Sequence, residues 1–541
     1  MNLFHEQDPQ RRAAGIGVFL LISFGVILRF WKVWQADFLF YDEGFYLNHN
    51  RLVGEILKHH FPATFGDFFH ALYAYLRVCL ATGKALWFLL VDSRIFFGAV
   101  EFWAFSRVLS AVFGALTLAM LYRFSRRYFA SSSIAWLSVA ILAVLPSHVF
   151  YSRIGLQEAC STFLVLAGFY FYLFPRGFSG RTFLSAVILA GGFFSNYRMI
   201  ILPFLVAFTE GYFSLVEKRW PDVRKYVWHT VAFFAVVILT GSFHGGENTR
   251  IISAWLFHQA QMAEGSTDIL NILSYPYYLF RLEHGLFGLL FFSSIFFFAR
   301  RDWVAVFPFA LACVQMLIFS FASEKGARYV CVMMPFMAAA SAYALESFVR
   351  MAGGRLLLKA GLIGVSLLMF GCLGYKSLLI AASGSDYRSS MQWILSRSPQ
   401  AKVASTQHWV QNLYVPNPSH VKELPHQFEG LLRLREQGFQ YIVVCPQSYI
   451  SWTDKDERFN TQLIGYLDFL SSRVKPEVVL KHFDDVMLER FVFEHNANLR
   501  RSIAFLRVAR RYGLGTLRVY SLPAAVDGML RAAAHHHQEG R

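Results

Sequence analysis

The stretch ALYAYLRVCLATGKALWFLLVDSRIFFGAV, residues 71–100, decides how this chain is threaded. About 20 apolar residues cross the hydrocarbon core of a bilayer as a helix, and the stretch is long enough to do so. Arg77, Lys84, Asp92 and Arg94 interrupt it, however. If it spans, every later connection changes side and the arginine-rich ones fall outside. Cytoplasmic loops normally carry the excess of Lys and Arg. The stretch is therefore read as amphipathic helices lying at the outer interface of a membrane.

A membrane enters because of composition. The chain has 541 residues, 55% hydrophobic, 17% aromatic and 16% charged, where a soluble domain carries about 25% charged residues. Apolar segments of helical length fall at 13–31, 105–122, 134–151, 156–174, 182–196, 199–215, 226–242, 285–299, 303–321, 329–349 and 356–376. The first follows Arg11 and Arg12, has spanning length and shows no small-residue cleavage site just after it, so it reads as an uncleaved first helix. With the N-terminus in the cytoplasm, the cytoplasmic connections include YRFSRRYFASSS, FPRGFSGR, VEKRWPDVRKY, ARRD and RMAGGRLLLK, each with at least two basic residues. The external parts are 32–104, the short turns at 151–155, 195–198 and 322–329, the segment 243–284, and everything after 377.

The fold class expected is an α-helical polytopic membrane protein of about eleven spans, over 1–377, with a long first external loop, 32–104. The formal charge of +16 does not indicate nucleic acid, because the arginines flank apolar runs instead of clustering on one face. Six cysteines give neither a disulfide framework nor a zinc pattern: Cys160, Cys313, Cys331 and Cys372 lie in apolar segments, and Cys79 and Cys445 are far apart. No internal repeat and no phosphate-binding glycine loop is present.

Beyond 377 the chain changes character. EGLLRLREQGFQYIVVCPQSY reads as a helix, a stop at Gly438 and a buried strand YIVVC. A small external α/β domain is expected over 378–530, and a disordered tail over 531–541, whose three adjacent histidines read as solvated.

Acids beside a bilayer are costly unless paired or hydrated, so they are functional candidates. FLFYDEGFY, residues 38–46, places Asp42 and Glu43 in the first external loop. On an extended segment adjacent side chains face opposite ways, so one acid can face a reaction centre while the other anchors the loop. FYSRIGLQEACSTF carries Arg153 and Glu158. On a helix starting near Gly155, Glu158 lies about one turn inside the membrane. Two further external turns carry Asn196, Tyr197 and Arg198, and Glu324, Lys325 and Arg328. A first-turn acid and an interfacial arginine each have bland explanations, in the helix dipole and in anchoring. Three cationic turns together with an acidic pair describe an external cavity that holds an anion. Arginine and lysine bind phosphate oxygens and stabilise a leaving phosphate, and a carboxylate can take the proton of an attacking hydroxyl. Sugar transfer from a lipid phosphate needs that set.

Four stretches resemble the polyprenyl-phosphate-sugar-dependent glycosyltransferases of the GT-C fold, which include protein O-mannosyltransferases and the lipid A aminoarabinose transferases. They are YDEG after the first helix, RVLSAVFGALTLAMLYRFSRRYF opening on Arg107, PSHVFYSRIGLQEACSTFL, and RYVCVMMPFMA. The resemblance implies a polyprenyl-phosphate-linked sugar donor, a lipid, glycan or protein acceptor, and an inverting reaction at the external membrane face. It implies that Asp42 is the general base or acceptor-binding acid, Glu43 its partner and Glu158 a second acid of the same cavity. Arg328 and Lys325 become cations near the lipid phosphate, with Arg198, Arg153 and Tyr329 beside them. His70 stands where relatives have His or Lys before a double proline, although HALY replaces that run here. Asp42, Glu158 and Arg328 are expected to line one cavity. Three converging acids are compatible with a divalent metal, but their spacing demands neither a metal nor another cofactor. A transporter or flippase for an anionic lipid and a non-catalytic scaffold of the same fold are the other two readings. The expected location is the cytoplasmic membrane, with the N-terminus cytoplasmic and the C-terminal domain external.

Overall fold

The computed structural model describes residues 9–34, 83–93, 102–174, 179–242, 272–321, 326–425, 427–445, 469–481, 484–494 and 515–539, with isolated positions between them. Two compact units result. The first takes 1–34, 50–323 and 327–382; the second takes 35–49, 324–326 and 383–541.

The first unit is helical. In chain order its α-helices are α1 Pro9–Phe30, α2 Ala85–Asp92, α3 Phe102–Tyr128, α4 Ser132–Ala143, α5 Pro146–Tyr151, α6 Glu158–Leu173, α7 Gly180–Ser195, α8 Leu202–Val216 and α9 Val223–Ser242. Then come α10 Ser274–Tyr278, α11 Gly285–Ser293, α12 Ile295–Ala299, α13 Trp303–Ser320, α14 Met334–Ala352 and α15 Leu356–Ala382. A π-turn, Leu279–Glu283, leads into α11, and 3₁₀ turns Tyr197–Ile201 and Ala327–Met333 lead into α8 and α14. Among the described residues, six segments are long and apolar enough to cross a membrane: Ala104–Tyr128, Tyr197–Val216, Val223–Thr240, Trp303–Ser320, Ala327–Ala352 and Leu356–Arg397. Five shorter apolar helices accompany them. Together they fall on the segments read from the sequence. Leu356, Leu357, Leu367 and Leu368 of α15 are well exposed, as suits a helix facing lipid.

Three expectations are corrected. The segment 134–151 is two helices, because Pro146 opens α5 and holds Leu145 extended, at φ −72° and ψ 116°. The segment 285–299 divides at Ser294. Glu158 is the first residue of α6, not one turn into it.

The break at Pro146 leaves backbone groups that side chains satisfy. Arg29, fully buried, donates to the carbonyls of Ala143 at 2.7 Å and Leu142 at 3.0 Å, closing the end of α4. It also donates to His148 Nδ1 at 2.6 Å. A guanidinium only donates, so the His148 proton sits on Nε2. Glu283 accepts from the Ser147 amide at 3.0 Å and from the Ser147 hydroxyl, capping the start of α5. Gly25 lets α1 approach this point: a Cβ there would lie 2.5 Å from the Ala143 oxygen. Arg29→Ala is expected to cost about 2–5 kcal/mol, since buried carbonyls lose their donor. A fall in the thermal midpoint of the purified protein in detergent would show it.

The second unit is α/β. Helix α16, Tyr387–Arg397, leads to β1 Lys402–Ser405, α17 His408–Gln411, β2 Val421–Glu423, α18 Phe428–Glu436 and β3 Phe439–Val444. Strand β4 Val478–Lys481, α19 Asp485–Glu494, β5 Thr516–Ser521 and α20 Leu522–Glu539 complete it. The strand order is β2-β1-β3-β5-β4. β1 pairs in parallel with β2 and β3, and β5 pairs antiparallel with β3 and β4. Ala404, Leu431, Phe439, Ile442, Tyr520 and Val526 share its core. Gly438, at φ 78°, ends α18 and admits β3, as the sequence indicated. The region from 531, read as a disordered tail, continues α20 as far as Glu539.

Candidate functional site

Glu158 gathers the site in the helical unit. It opens α6, where the unpaired amides of a helix start favour negative charge. It is 2% exposed. Gln157 Nε2 donates to its Oε1 at 3.1 Å, and its Oε2 has no hydrogen-bond partner among the described residues. The positive charges of Arg328, Lys84 and Arg198 all bear on this carboxylate.

Each cation comes from a different element. Lys84 is the residue before α2, held by the turn at Gly83, whose φ is +72°. The Gly83 carbonyl accepts from the Tyr197 amide at 3.1 Å, which ties that turn to the 3₁₀ turn bearing Arg198. Asn196 Oδ1 in turn accepts from the Arg198 amide at 3.2 Å. Arg328 lies on the 3₁₀ turn before α14. Tyr329 joins two of the three: the Arg198 guanidinium stacks 4.2 Å from its ring centroid, and that of Arg328 lies 6.0 Å from it. The Tyr329 carbonyl accepts from Gln315 Nε2 at 2.9 Å, which fixes the backbone of that turn. Three cations from three separate elements thus act on one buried acid.

The other end of α6 differs. Tyr172 donates to Glu210 at 2.9 Å, and Lys225 and Arg219 lie 3.5 and 3.6 Å from the same carboxylate. That acid is ion-paired with two cations, and Tyr172, which holds it, lies about 21 Å along α6 from Glu158 at 1.5 Å per residue.

The structure thus brings together Glu158, Arg198, Arg328 and Tyr329 from the sequence-derived set. It places Arg153 otherwise. The Arg153 guanidinium donates to the carbonyls of Leu28, Trp31 at 2.9 Å and Ala381 at 2.9 Å, closing the ends of α1 and α15. Its two terminal nitrogens bond to the backbone, and it reads as a structural clamp. Asp42, His70 and Lys325 lie outside the described residues. Glu43 belongs to the second unit and is 2% exposed. Glu43, Gly44, Tyr46 and Asn48 are helical, not extended. A turn of helix, unlike a strand, sets neighbouring side chains about 100° apart.

Lys84 was noted in the sequence only as an interruption. A lysine directly before an apolar helix opposes the helix dipole, and that misplacement was the available signal. Helix α2 is eight residues, about 12 Å long, too short to span. It buries Trp87 and Val91 against Cys160 of α6, so it packs into the bundle. No group of three His, Cys, Asp or Glu among the described residues suits a metal ion.

Comparison with known proteins follows from this geometry. The family model for dolichyl-phosphate-mannose-protein mannosyltransferase matches residues 84–242, a range that holds Lys84, Glu158 and Arg198. ArnT from Cupriavidus metallidurans, in its apo state, superposes with a TM-score of 0.56 at 13% identity, covering 95% of this chain and 99% of that one. The chain has the GT-C fold. The apo oligosaccharyltransferase of Archaeoglobus fulgidus shares it at a TM-score of 0.54 and 12% identity, over 86% of this chain and 73% of that chain. That protein in complex with Zn and sulfate matches with a TM-score of 0.45 and 13% identity, over 68% of this chain and 60% of its own length. None of the curated proteins matches in sequence. The GT-C bundle with a C-terminal sheet domain is therefore an α-helical polytopic membrane protein, as expected.

Proposed function

We propose that this protein is an integral membrane glycosyltransferase that moves a sugar from a polyprenyl-phosphate donor to an acceptor hydroxyl at the external membrane face, with inversion. The observation that carries the reading is the cluster of Lys84, Arg198 and Arg328 around the buried Glu158. Three cations held together with one acid fit a phosphate monoanion or dianion. The matched mannosyltransferase family, by its description, uses a dolichyl-phosphate sugar, which is the same donor chemistry.

In this reaction the acceptor oxygen attacks the anomeric carbon and its proton passes to a carboxylate, for which Asp42 is the candidate. The bond from the anomeric carbon to the phosphate oxygen breaks, and the phosphate leaves with the electron pair. Arg198, Arg328 and Lys84 stabilise that charge as it grows. Lys325 and His70 are candidates for the same role. The Glu158 charge offsets part of the positive charge of the three cations, and the Tyr329 ring supports the Arg198 guanidinium. Glu43 supports Asp42. Basic residues of the connections after α3 and α8 put those ends in the cytoplasm by charge bias, which leaves the Glu158 end of α6 external.

The test is transfer by the purified chain in lipid nanodiscs. Polyprenyl-phosphate monosaccharides are offered with lipid, glycan and peptide acceptors, and products are read by mass spectrometry. Release of polyprenyl phosphate with a glycosylated acceptor is expected for at least one pair. Donor that crosses the bilayer intact, with no sugar moved, would instead make the protein a carrier.

A further inference from the structure

The C-terminal unit includes two short pieces of chain from far away, 324–326 and 35–49, and the second carries Asp42 and Glu43. Its seat is specific. Asn48 Nδ2 donates to the Trp409 carbonyl at 2.6 Å, to Asn412 Oδ1 at 3.2 Å and to the Gly44 carbonyl at 2.8 Å. Gly44 lies one helical turn earlier, on the same face. A Cβ at Gly44 would sit 2.6 Å from Val410 Cγ2, and 2.9 Å from both the Trp409 oxygen and the Val410 Cα. Two of those three atoms are backbone and cannot step aside, so only glycine lets the segment lie this close.

The place where it sits also carries meaning. Helix α17, with Val410, follows the carboxyl end of β1. The chain runs from β1 to β2 on one side and then to β3 on the other. In open α/β sheets this reversal, at the carboxyl ends of the strands, is where ligands bind. Thr406 anchors the loop there: its amide donates to the Val443 carbonyl at 3.1 Å, and its hydroxyl accepts from the Cys445 amide at 2.8 Å. Gly44 and Asn48 thus meet the helix that follows the carboxyl end of β1.

We propose that the C-terminal domain is the positioning device for the acid pair. Gly44 and Asn48, seated on Trp409–Asn412, are positioning residues that fix the backbone at Glu43, the residue next to Asp42 in sequence. This rests on the proposed glycosyl transfer for its effect on turnover, and on the seat alone for its effect on the segment.

Two readouts separate these. Hydrogen–deuterium exchange of the full chain in nanodiscs follows peptides covering 38–49, and steady-state transfer gives kcat and KM for the donor. Gly44→Ala and the milder Asn48→Ala should speed exchange in 38–49 while β3 and β5 stay protected. They should lower kcat by roughly 10- to 100-fold, the scale of an ångström-sized misplacement, with the donor KM unchanged. Arg435→Ala, which removes the exposed 2.8 Å pair with Asp527 on the same domain, should alter neither readout. Unchanged exchange in both variants overturns the proposal, as does faster exchange with full kcat. If the wild type transfers no sugar, the proposed function fails, and the exchange result alone decides whether the seat holds the segment.

Discussion

Asp42→Asn is expected to lower the rate of sugar transfer by about 10²–10⁴-fold, the span that a positioned general base contributes. Asparagine keeps the shape of the side chain but cannot accept the hydroxyl proton. Donor affinity should stay close to that of the wild type, because the proposed phosphate seat is Lys84, Arg198 and Arg328 and does not include Asp42. The distinction matters: loss of turnover with intact donor binding points to proton transfer, whereas parallel loss of both points to a collapsed loop. Single-turnover kinetics with pre-bound donor separates the two. Full activity in Asp42→Asn would remove this residue from the chemistry and shift the role to Glu43, which is buried in the same segment.

Arg328→Ala has the second large effect. Removing one donor aimed at a developing charge costs about 10²–10³-fold in kcat, and Arg198→Ala should fall in the same range. The two are coupled through Tyr329, over which both guanidiniums lie, so the double variant should lose less than the product of the single losses. Lysine at either place should restore charge but not the planar stack, giving partial recovery. Kinetics of the four variants, on protein whose thermal midpoint matches the wild type, checks this. A scaffold without catalysis would show only stability changes.

How far these residues could be read in advance depends on what kind of signal each leaves. Apolar segments announce themselves through length, and Gly438 through its place between a helical period and a strand run. Glu158, Arg198 and Arg328 stood out because charge next to an apolar helix is expensive. The same criterion also picked Arg153, whose guanidinium bonds to backbone carbonyls. A buried arginine that closes helix ends, as Arg153 does for Leu28, Trp31 and Ala381, looks in sequence just like one that holds a ligand. Arg29, with its carbonyls and His148, left no trace for the same reason. Its partners lie more than a hundred residues away. Lys84 was visible as a charge but its target was not, since only the packing of α2 against α6 brings it near Glu158. The helical backbone at Glu43, Gly44, Tyr46 and Asn48 was missed because the aromatic run around it has strand-like composition, while Gly44 and Asn48 contact residues 409–412.

The central claim is that Lys84, Arg198 and Arg328, gathered by Glu158, form the seat of the donor phosphate. Equilibrium binding of a polyprenyl phosphate and of the matching uncharged polyprenol to the wild type and to Arg198→Ala tests it most directly. The account predicts that the wild type prefers the phosphate by at least about 100-fold, or about 2.7 kcal/mol at 1.36 kcal/mol per decade, and that most of this preference vanishes in the variant. Equal affinity for phosphate and alcohol in the wild type, or an undiminished preference in Arg198→Ala, would contradict it.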